Sequence, residues 1–187
     1  MKSFAERGHE KMREVLMKPE DKGPDIHYYM IRGGVSKKNI TVWESGTIGG
    51  EYIKSYGHYH VGAIDETYKI LMGEGFIVMQ TRKKDDSGTP IDDEIENFQA
   101  INVKAGDSVF IPADVGHLAI NTGTTWLVTE DDSPVNFDEK DSISLPGHAD
   151  YEPFRRLHGA AYYLVEKEGK PVFVKNPYYK SVSEIAG

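Results

Sequence analysis

The chain has 187 residues, of which 39% are hydrophobic and 28% charged, as expected of a soluble globular protein with a full-sized core. Its net charge of −8 argues against nucleic-acid binding, which needs a basic surface. The sequence contains no cysteine, which excludes disulfides, thiolate metal ligands and a cysteine nucleophile. Any metal site must therefore use nitrogen and oxygen ligands.

Membrane insertion and secretion are not expected from this sequence. No apolar run approaches the length of a membrane span, and no apolar signal region follows the first residues. We therefore expect a cytoplasmic protein. The length indicates one domain over 1–187, with a helical extension in 1–24, a core in about 25–130, and a loop with C-terminal strands in 131–187.

The N-terminal residues resemble a helix start. Ser3-Phe4-Ala5-Glu6 matches a capping box and predicts a helix to about Met17, before the breakers Lys18-Pro19 and Gly23-Pro24. From Asp25 onward the pattern changes to short alternating segments broken by Gly, Pro, Asn and Asp. Strands are predicted near 26–32, 39–45, 51–57, 66–72, 74–81, 98–103, 107–111, 117–121, 125–130, 160–166 and 171–175. Many short strands without helices between them favour a sandwich or barrel.

Two polar segments interrupt this pattern. Arg82 to Asn97 is charged and is predicted to be a solvated loop or a hairpin extension. Asp131 to Tyr151 lacks periodicity and is long for a plain connection. Loops of that length are often lids or disordered.

The pair His58-Tyr59-His60 is the most informative motif of the chain. Side chains alternate along a strand, so the two histidines face the same side and can bind one metal ion. His117 and Glu66 can complete the set. Three histidines and one carboxylate bind a divalent transition metal and leave coordination positions open for a substrate.

Two acidic residues compete for the fourth ligand position. Asp65 and Glu66 are adjacent, so strand alternation sends them to opposite faces. We prefer Glu66, because Tyr68 then shares its face and the spacing to Gly73 fits. Asp65 would then lie at the rim of the same turn.

The flanking residues strengthen the metal motif. The first half is His58-x-His60, Glu66 and Gly73; the second half is Gly106, Pro112, His117 and Asn121. Both halves, in this order, resemble the cupin superfamily. The resemblance implies an all-β fold: a small antiparallel cupin barrel of the jelly-roll type around one metal, with a short N-terminal helix and a C-terminal extension.

A narrower resemblance extends over about 25–179. Ser55-Tyr56-Gly57-His58-Tyr59-His60, Glu66 to Gly75, Ala105 to Pro112, Gly116 to Asn121 and Tyr151-Glu152-Pro153-Phe154 are similar to the cupin-type, archaeal glucose-6-phosphate isomerases. This implies a metal-dependent aldose–ketose isomerase of glycolysis and gluconeogenesis that interconverts D-glucose 6-phosphate and D-fructose 6-phosphate. The sequence does not choose between an enediol and a hydride-shift mechanism.

The same resemblance assigns roles to individual residues. The implied metal ligands are His58, His60, Glu66 and His117, and Glu66 is also the implied catalytic base. The implied phosphate and sugar contacts are Thr41, Ser55, Gly57 and Tyr68, with Tyr29 and His148 as further candidates. Iron is the expected ion, although nickel, manganese, cobalt or zinc would suit the same ligands. A homodimer is also expected.

The chain departs from this family's pattern after Asn121. Ser133 stands where relatives carry a tyrosine, and Pro134 to Ser144 resembles an insertion, which leaves the identity of the sugar open. Two other functions therefore compete with the isomerase. One is a metal-dependent cupin dioxygenase with the same ligands, and the other is a non-catalytic sugar-binding cupin.

Overall fold

The computed structural model describes residues 4–33, 38–134 and 149–186. Strands dominate this part of the chain, and the two α-helices in it are short. The strands are β1 (Phe4–Gly8), β2 (Ile26–Ile31), β3 (Asn39–Trp43), β4 (Thr47–Ile48), β5 (Glu51–Tyr52), β6 (Tyr59–His60), β7 (Glu66–Met72), β8 (Glu74–Lys84), β9 (Pro90–Lys104), β10 (Ser108–Ile111), β11 (Gly116–Asn121), β12 (Leu127–Asp131), β13 (Ala149–Asp150), β14 (Tyr162–Lys167), β15 (Lys170–Lys175), β16 (Ser181–Val182) and β17 (Ile185–Ala186). The helices are α1 (His9–Met12), followed by a 3-10 turn (Arg13–Val15), and α2 (Glu152–Arg156).

Two sheets form the body of the fold. One has six strands in the order β1-β2-β3-β12-β7-β10, and the other has five in the order β11-β8-β9-β16, with β17 also paired to β9. All pairings are antiparallel except those of β16 and β17 with β9. A four-stranded sheet, β15-β14-β5-β4, and the pair β13-β6 complete the structure. This antiparallel architecture confirms the predicted all-β cupin fold.

Most of the predicted strands are observed, but of the strand predicted near 51–57 only Glu51–Tyr52 (β5) is formed, and other differences lie in polar stretches. The segment 82–97, predicted as a solvated loop or hairpin extension, is a hairpin extension in which β8 runs to Lys84 and β9 begins at Pro90. Its charged residues are compatible with strands because the cross-strand ladder satisfies the backbone there. Of the segment 131–151, only its two ends belong to the described residues.

The predicted N-terminal helix begins later than expected. Residues Phe4 to Gly8 form a strand whose partners run from Ile31 back to Ile26 on β2, and the helix covers only His9–Met12. Ser3, the predicted cap, lies outside the described residues, and Gly8 precedes the helix without a side-chain cap. The prediction of the helix start was wrong because pairing with the edge of a sheet supplies the backbone hydrogen bonds that a helix would otherwise provide.

The register of β2 decides which side chains face the interior. Tyr28 and Met30 are buried, whereas Ile31 is exposed. Alternation carries the inward row on to Arg32, directly after the strand. Inside the fold, the largest fully buried side chains include Trp43, Tyr56, Tyr59, Phe98 and Phe154. No helix among the described residues is long and apolar enough to cross a membrane.

Candidate metal centre

The histidine pair lies on a segment that joins the edge of β11. Ser55 N donates to Ala119 O, and His58 and His117 exchange both backbone hydrogen bonds across an isolated antiparallel bridge. Directly opposed residues place their side chains on the same face. The register therefore brings His117 beside His58, although the two are distant in sequence.

The backbone just before the histidines needs a glycine. Gly57 has φ of 84°, and a Cβ built on it would lie 2.5 Å from the ring of Phe154, a buried residue of α2. Real Cβ atoms do not approach that closely, so only glycine lets the segment pass beneath α2. The close approach is made to a ring of a later helix.

Four side chains converge in the interior. One potential ligand atom from each of His58, His60, Glu66 and His117 lies within 4.8 Å of those from the other three. The ring centroid of His117 is 4.4 Å from that of His58 and 5.1 Å from that of His60. Glu66, the first residue of β7, brings Oε1 to 2.6 Å from Nε2 of His117 and 3.7 Å from Nε2 of His60.

The other ring nitrogens of two histidines are held by backbone carbonyls. Nδ1 of His60 lies 2.9 Å from the oxygen of Ile64, and Nδ1 of His117 lies 3.2 Å from that of Val115. A carbonyl can only accept, so each Nδ1 carries the proton in the neutral ring. Each Nε2 then presents its lone pair to the cluster, which is the state that a metal requires.

The cluster fits a divalent metal better than a hydrogen-bonded network. Nε2 of His117 and Oε1 of Glu66 are close but not in hydrogen-bonding geometry, and both atoms lack a hydrogen-bond partner among the described residues. Buried polar atoms in that condition are costly unless something binds them. Three imidazole nitrogens and one carboxylate oxygen are ligands that suit iron, manganese, cobalt, nickel and zinc, so the centre could hold one such ion.

Electrostatics keep the carboxylate ionised. Burial by itself would raise the pKa of Glu66, but the neighbouring His117 and His60 rings, together with Arg32, hold that pKa below its ordinary value. For His117, burial opposes protonation, yet the Glu66 carboxylate raises the pKa of the ring. In the metal-free protein Glu66 and His117 therefore stabilise each other's charged forms. A bound cation would replace the protonated ring as the partner of the carboxylate.

The structure separates the two acidic candidates for the fourth position. Glu66 is buried and points into the cluster, whereas Asp65 is exposed. The alternation of β7 places Tyr68 on the inner side together with Glu66. The Tyr68 ring stands perpendicular to that of His117, with 5.9 Å between centroids.

A pocket of about 360 Å³, counted out to its open mouth, lies against the centre. Its lining consists of Tyr28, Met30, Arg32, Thr41, Trp43, Ser55, Gly57, His58, Tyr68, His117 and Tyr151. Four of the predicted contacts, Thr41, Ser55, Gly57 and Tyr68, are thus brought together beside two of the histidines.

Two other predicted contacts are not brought there. Tyr29 stacks on Phe4, with 6.2 Å between centroids, and does not line the pocket. It alternates with Tyr28, which is the β2 tyrosine that does line it. The sequence pattern could not phase β2, since apolar residues occupy both faces of this strand. His148 lies outside the described residues.

Five residues that line the pocket had no predicted role: Tyr28, Met30, Arg32, Trp43 and Tyr151. Arg32 follows β2, and Tyr151 immediately precedes α2 with its ring 5.4 Å from that of His58. An arginine before a glycine is usually taken for a solvated turn residue, and a lone tyrosine carries no pattern. Period-two alternation from Tyr28 and Met30 points to Arg32 only once the phase of β2 is known.

No curated protein matches this chain. Similar solved structures include a predicted oxalate decarboxylase from Thermotoga maritima (20% identity, 56% of this chain and 76% of the other, TM-score 0.38). Others are Drosophila melanogaster CENP-C bound to CAL1 (11%, 60% and 76%, TM-score 0.41) and CapF, a capsular polysaccharide assembling protein from Staphylococcus aureus (17%, 59% and 29%, TM-score 0.41).

Those structural similarities are too low to bear on function. The comparison with protein families is more informative, because the model described as glucose-6-phosphate isomerase matches residues 17–180. That span includes all four residues of the metal cluster and every lining residue of the pocket. The chain therefore belongs to the glucose-6-phosphate isomerase family, in its cupin type.

Proposed function

We propose that this protein interconverts D-glucose 6-phosphate and D-fructose 6-phosphate with one divalent transition metal per chain. The observation that carries the proposal is the buried cluster of three histidines and Glu66 beside a pocket lined by hydroxyl groups, in a chain of this family. The reaction moves hydrogen between C1 and C2 while the two oxygens stay in place. It therefore needs a base, a group that stabilises negative charge, and contacts that orient the sugar.

The proposed metal ligands are His58, His60, Glu66 and His117. The bound ion would supply Lewis-acid stabilisation for the oxygens at C1 and C2. The carbonyls of Ile64 and Val115 fix two of the rings and so set the direction from which an ion is bound. Iron is the ion we propose, and the ligand set also accommodates manganese, cobalt, nickel and zinc.

Glu66 is the proposed catalytic base. A base must be ionised before it accepts a proton, and the lowered pKa of Glu66 meets that requirement despite its burial. The carboxylate has two oxygens, so one can remain near His117 while the other faces the carbon that loses its proton. The tyrosine beside it cannot replace it in this role, because burial and the carboxylates of Glu66 and Asp131 raise the pKa of Tyr68.

The sugar phosphate is proposed to bind along the inner face of the six-stranded sheet. Thr41 and Ser55 offer hydroxyls, Gly57 offers a backbone N–H, and the neutral Tyr68 offers a phenolic donor. All four line the pocket. Ser55 already contacts the backbone of Ala119, whose N–H donates to Ser55 Oγ at 2.8 Å, so its hydroxyl is held in a fixed position.

We also propose that the chain forms a homodimer through the outer face of the six-stranded sheet. Cross-strand partners share a face, which places exposed Phe4 and Ile31 in one row with Ile40. Exposed Phe110 and Leu71 lie on the strands at the opposite side of the sheet. Large apolar side chains exposed on one face of a sheet are a feature of protein interfaces. Analytical ultracentrifugation should show a dimer that Ile31→Asp and Phe110→Asp shift towards monomer, and a monomeric native protein would contradict this.

The assay that tests the proposed reaction couples glucose 6-phosphate formation to a reporter dehydrogenase. Metal-loaded protein should convert fructose 6-phosphate, and removal of the metal by a chelator should abolish the activity until an ion is returned. An oxygen electrode run in parallel separates the dioxygenase, because an isomerase consumes no dioxygen. Binding of hexose phosphate without turnover would instead support a sugar-binding cupin, and absence of both binding and turnover would refute the proposal.

A further inference from the structure

A permanently charged cation lines the described part of the pocket. Arg32 is the only arginine or lysine among its lining residues in the part of the chain that the structure describes. The surrounding charge is negative: Glu66 and Asp131 are buried nearby, and the chain carries a net charge of −8. A substrate with a doubly charged phosphate therefore meets no general attraction and depends on a local positive group.

Two contacts orient the Arg32 side chain from one side. Its Nη1 lies 3.4 Å from Oγ1 of Thr41 and 3.7 Å from Oδ2 of Asp131. Both distances exceed the roughly 2.7–2.9 Å of a direct charge-assisted hydrogen bond. These contacts place the guanidinium at the pocket wall, between the Thr41 hydroxyl and the Asp131 carboxylate.

Asp131 is itself fixed by buried hydrogen bonds. Its Oδ1 accepts hydrogen bonds from Asn39 Nδ2 at 2.7 Å and from Ser133 Oγ at 2.6 Å. The same Asn39 accepts the backbone N–H of Gly33, the residue after Arg32, at 3.0 Å. The buried side-chain amide of Asn39 thus fixes both Asp131 and the backbone next to Arg32. This arrangement holds an arginine at the pocket wall, where a solvated turn residue would be expected.

We infer that Arg32 binds the phosphate group of the substrate and determines selectivity for phosphorylated over free sugars. The inference rests on the proposed function and adds a cation to the hydroxyl and amide contacts already given. The planar guanidinium of Arg32 can donate two parallel hydrogen bonds to phosphate oxygens. The Thr41 hydroxyl beside it is a further donor. Asp131 acts as a positioning residue that keeps the guanidinium aimed at the pocket.

Paired ligands test this inference. Metal-loaded wild type and Arg32→Gln are titrated with glucitol 6-phosphate and with glucitol, which differ only in the phosphate. The variant should bind the phosphorylated ligand about 10- to 100-fold more weakly, as expected for loss of a charge-assisted contact, and glucitol within about 2-fold of wild type. KM for fructose 6-phosphate should rise by a similar factor, with a smaller change in kcat.

Two further variants keep the test decisive. Arg32→Lys retains the charge beside Asp131 and should recover part of the affinity, which also covers the case in which Arg32→Gln folds poorly. Arg13→Gln, on a surface arginine paired with Glu10 and Glu20, should bind both ligands like wild type. Metal content and thermal midpoint are measured for every variant.

The outcomes distinguish the two levels of the proposal. If wild type binds and converts the hexose phosphate but Arg32→Gln retains full affinity for glucitol 6-phosphate, or loses affinity for both ligands equally, the role of Arg32 is refuted alone. If metal-loaded wild type neither binds nor converts the hexose phosphate, the proposed function fails, and the inference about Arg32 with it.

Discussion

Oε1 of Glu66 lies 2.6 Å from Nε2 of His117, and the two residues belong to different sheets. Glu66 begins β7 in the six-stranded sheet, and His117 lies on β11 in the five-stranded sheet. His58 reaches the same point through its bridge to His117. An ion bound by these residues therefore links the two sheets, so metal binding and stability of the fold should be coupled.

The first prediction concerns this coupling. Adding a saturating divalent metal to the apo protein should raise its free energy of unfolding, by about 2.7 kcal/mol when the free ion is at 100 times its Kd. His117→Ala should remove this gain. Differential scanning calorimetry with and without metal measures both effects. The control is His158→Asn, because His158 lies outside the cluster and asparagine tolerates its left-handed backbone, with φ of 53°.

A second prediction separates the two adjacent carboxylates. Glu66→Gln should lower kcat about 10²- to 10⁴-fold, because it removes the proposed base while preserving the shape of the side chain. Asp65→Asn makes the same chemical change one residue earlier, at an exposed position, and should leave kcat within about 2-fold. Steady-state kinetics normalised to bound metal compares them. Equal effects of the two substitutions would show that Glu66 has no special role.

The third prediction is steric. Gly57→Ala should destabilise the fold by about 2–5 kcal/mol, the sum of backbone strain at φ of 84° and a clash with the Phe154 ring. Gly62→Ala is the matched control. Gly62 has φ of 87° but nothing within 4 Å of its built Cβ, so only the strain of about 1–3 kcal/mol applies. Urea denaturation gives the difference, and identical losses would mean that α2 does not press on this segment.

The fourth prediction concerns acid stability and depends on His27. This ring is fully buried, its Nε2 lies 2.9 Å from Nδ1 of His9, and His9 Nε2 donates to the carbonyl of Asp21. His9 Nδ1 must then accept, so His27 Nε2 donates, and His27 Nδ1 has no hydrogen-bond partner among the described residues. Burial, followed by His9 and Lys54, lowers the pKa of His27 to about 4.

The sign follows from linkage. Below pH 6.5 His27 of the unfolded chain binds a proton, whereas in the folded protein it binds one only near pH 4. The free energy of unfolding therefore falls as pH decreases through this window, by about 3 kcal/mol in total. His27→Gln keeps a donor for His9 but does not titrate. Urea midpoints of the two apo proteins at pH 7, 5.5 and 4.5 should therefore converge on acidification, whereas parallel curves would contradict the role of His27.

Much of the fold was predictable from sequence because alternating apolar residues mark the barrel strands and turn residues mark where the strands end. Strands β14 and β15 are an example: both were predicted, and between them Gly169, with φ of 73°, supplies the backbone conformation that the hairpin requires. The N-terminal strand was missed for the opposite reason. Its local sequence favours a helix, and only its pairing partner, β2, makes it a strand.

The candidate site was predictable where the spacing of two residues along a strand alone determines which face their side chains occupy. His58 and His60 share a face at any strand position, so their pairing needed no tertiary information. Which of Tyr28 and Tyr29 lines the pocket depends on the phase of β2, which local sequence does not set. The position of Arg32 at the pocket wall depends on the buried contacts of Asn39 and Asp131. These contacts join residues far apart in the chain, so local sequence does not reveal them.

The central claim is that one metal held by His58, His60, Glu66 and His117 makes the protein an isomerase. Titrating apo protein with Mn²⁺ or Fe²⁺ while following both bound metal and fructose 6-phosphate conversion tests it most directly. Activity should rise in proportion to bound metal and stop at one ion per chain, and His58→Ala should show neither binding nor activity at the same concentrations. Full activity in metal-free protein, or an unchanged titration of His58→Ala, would contradict it.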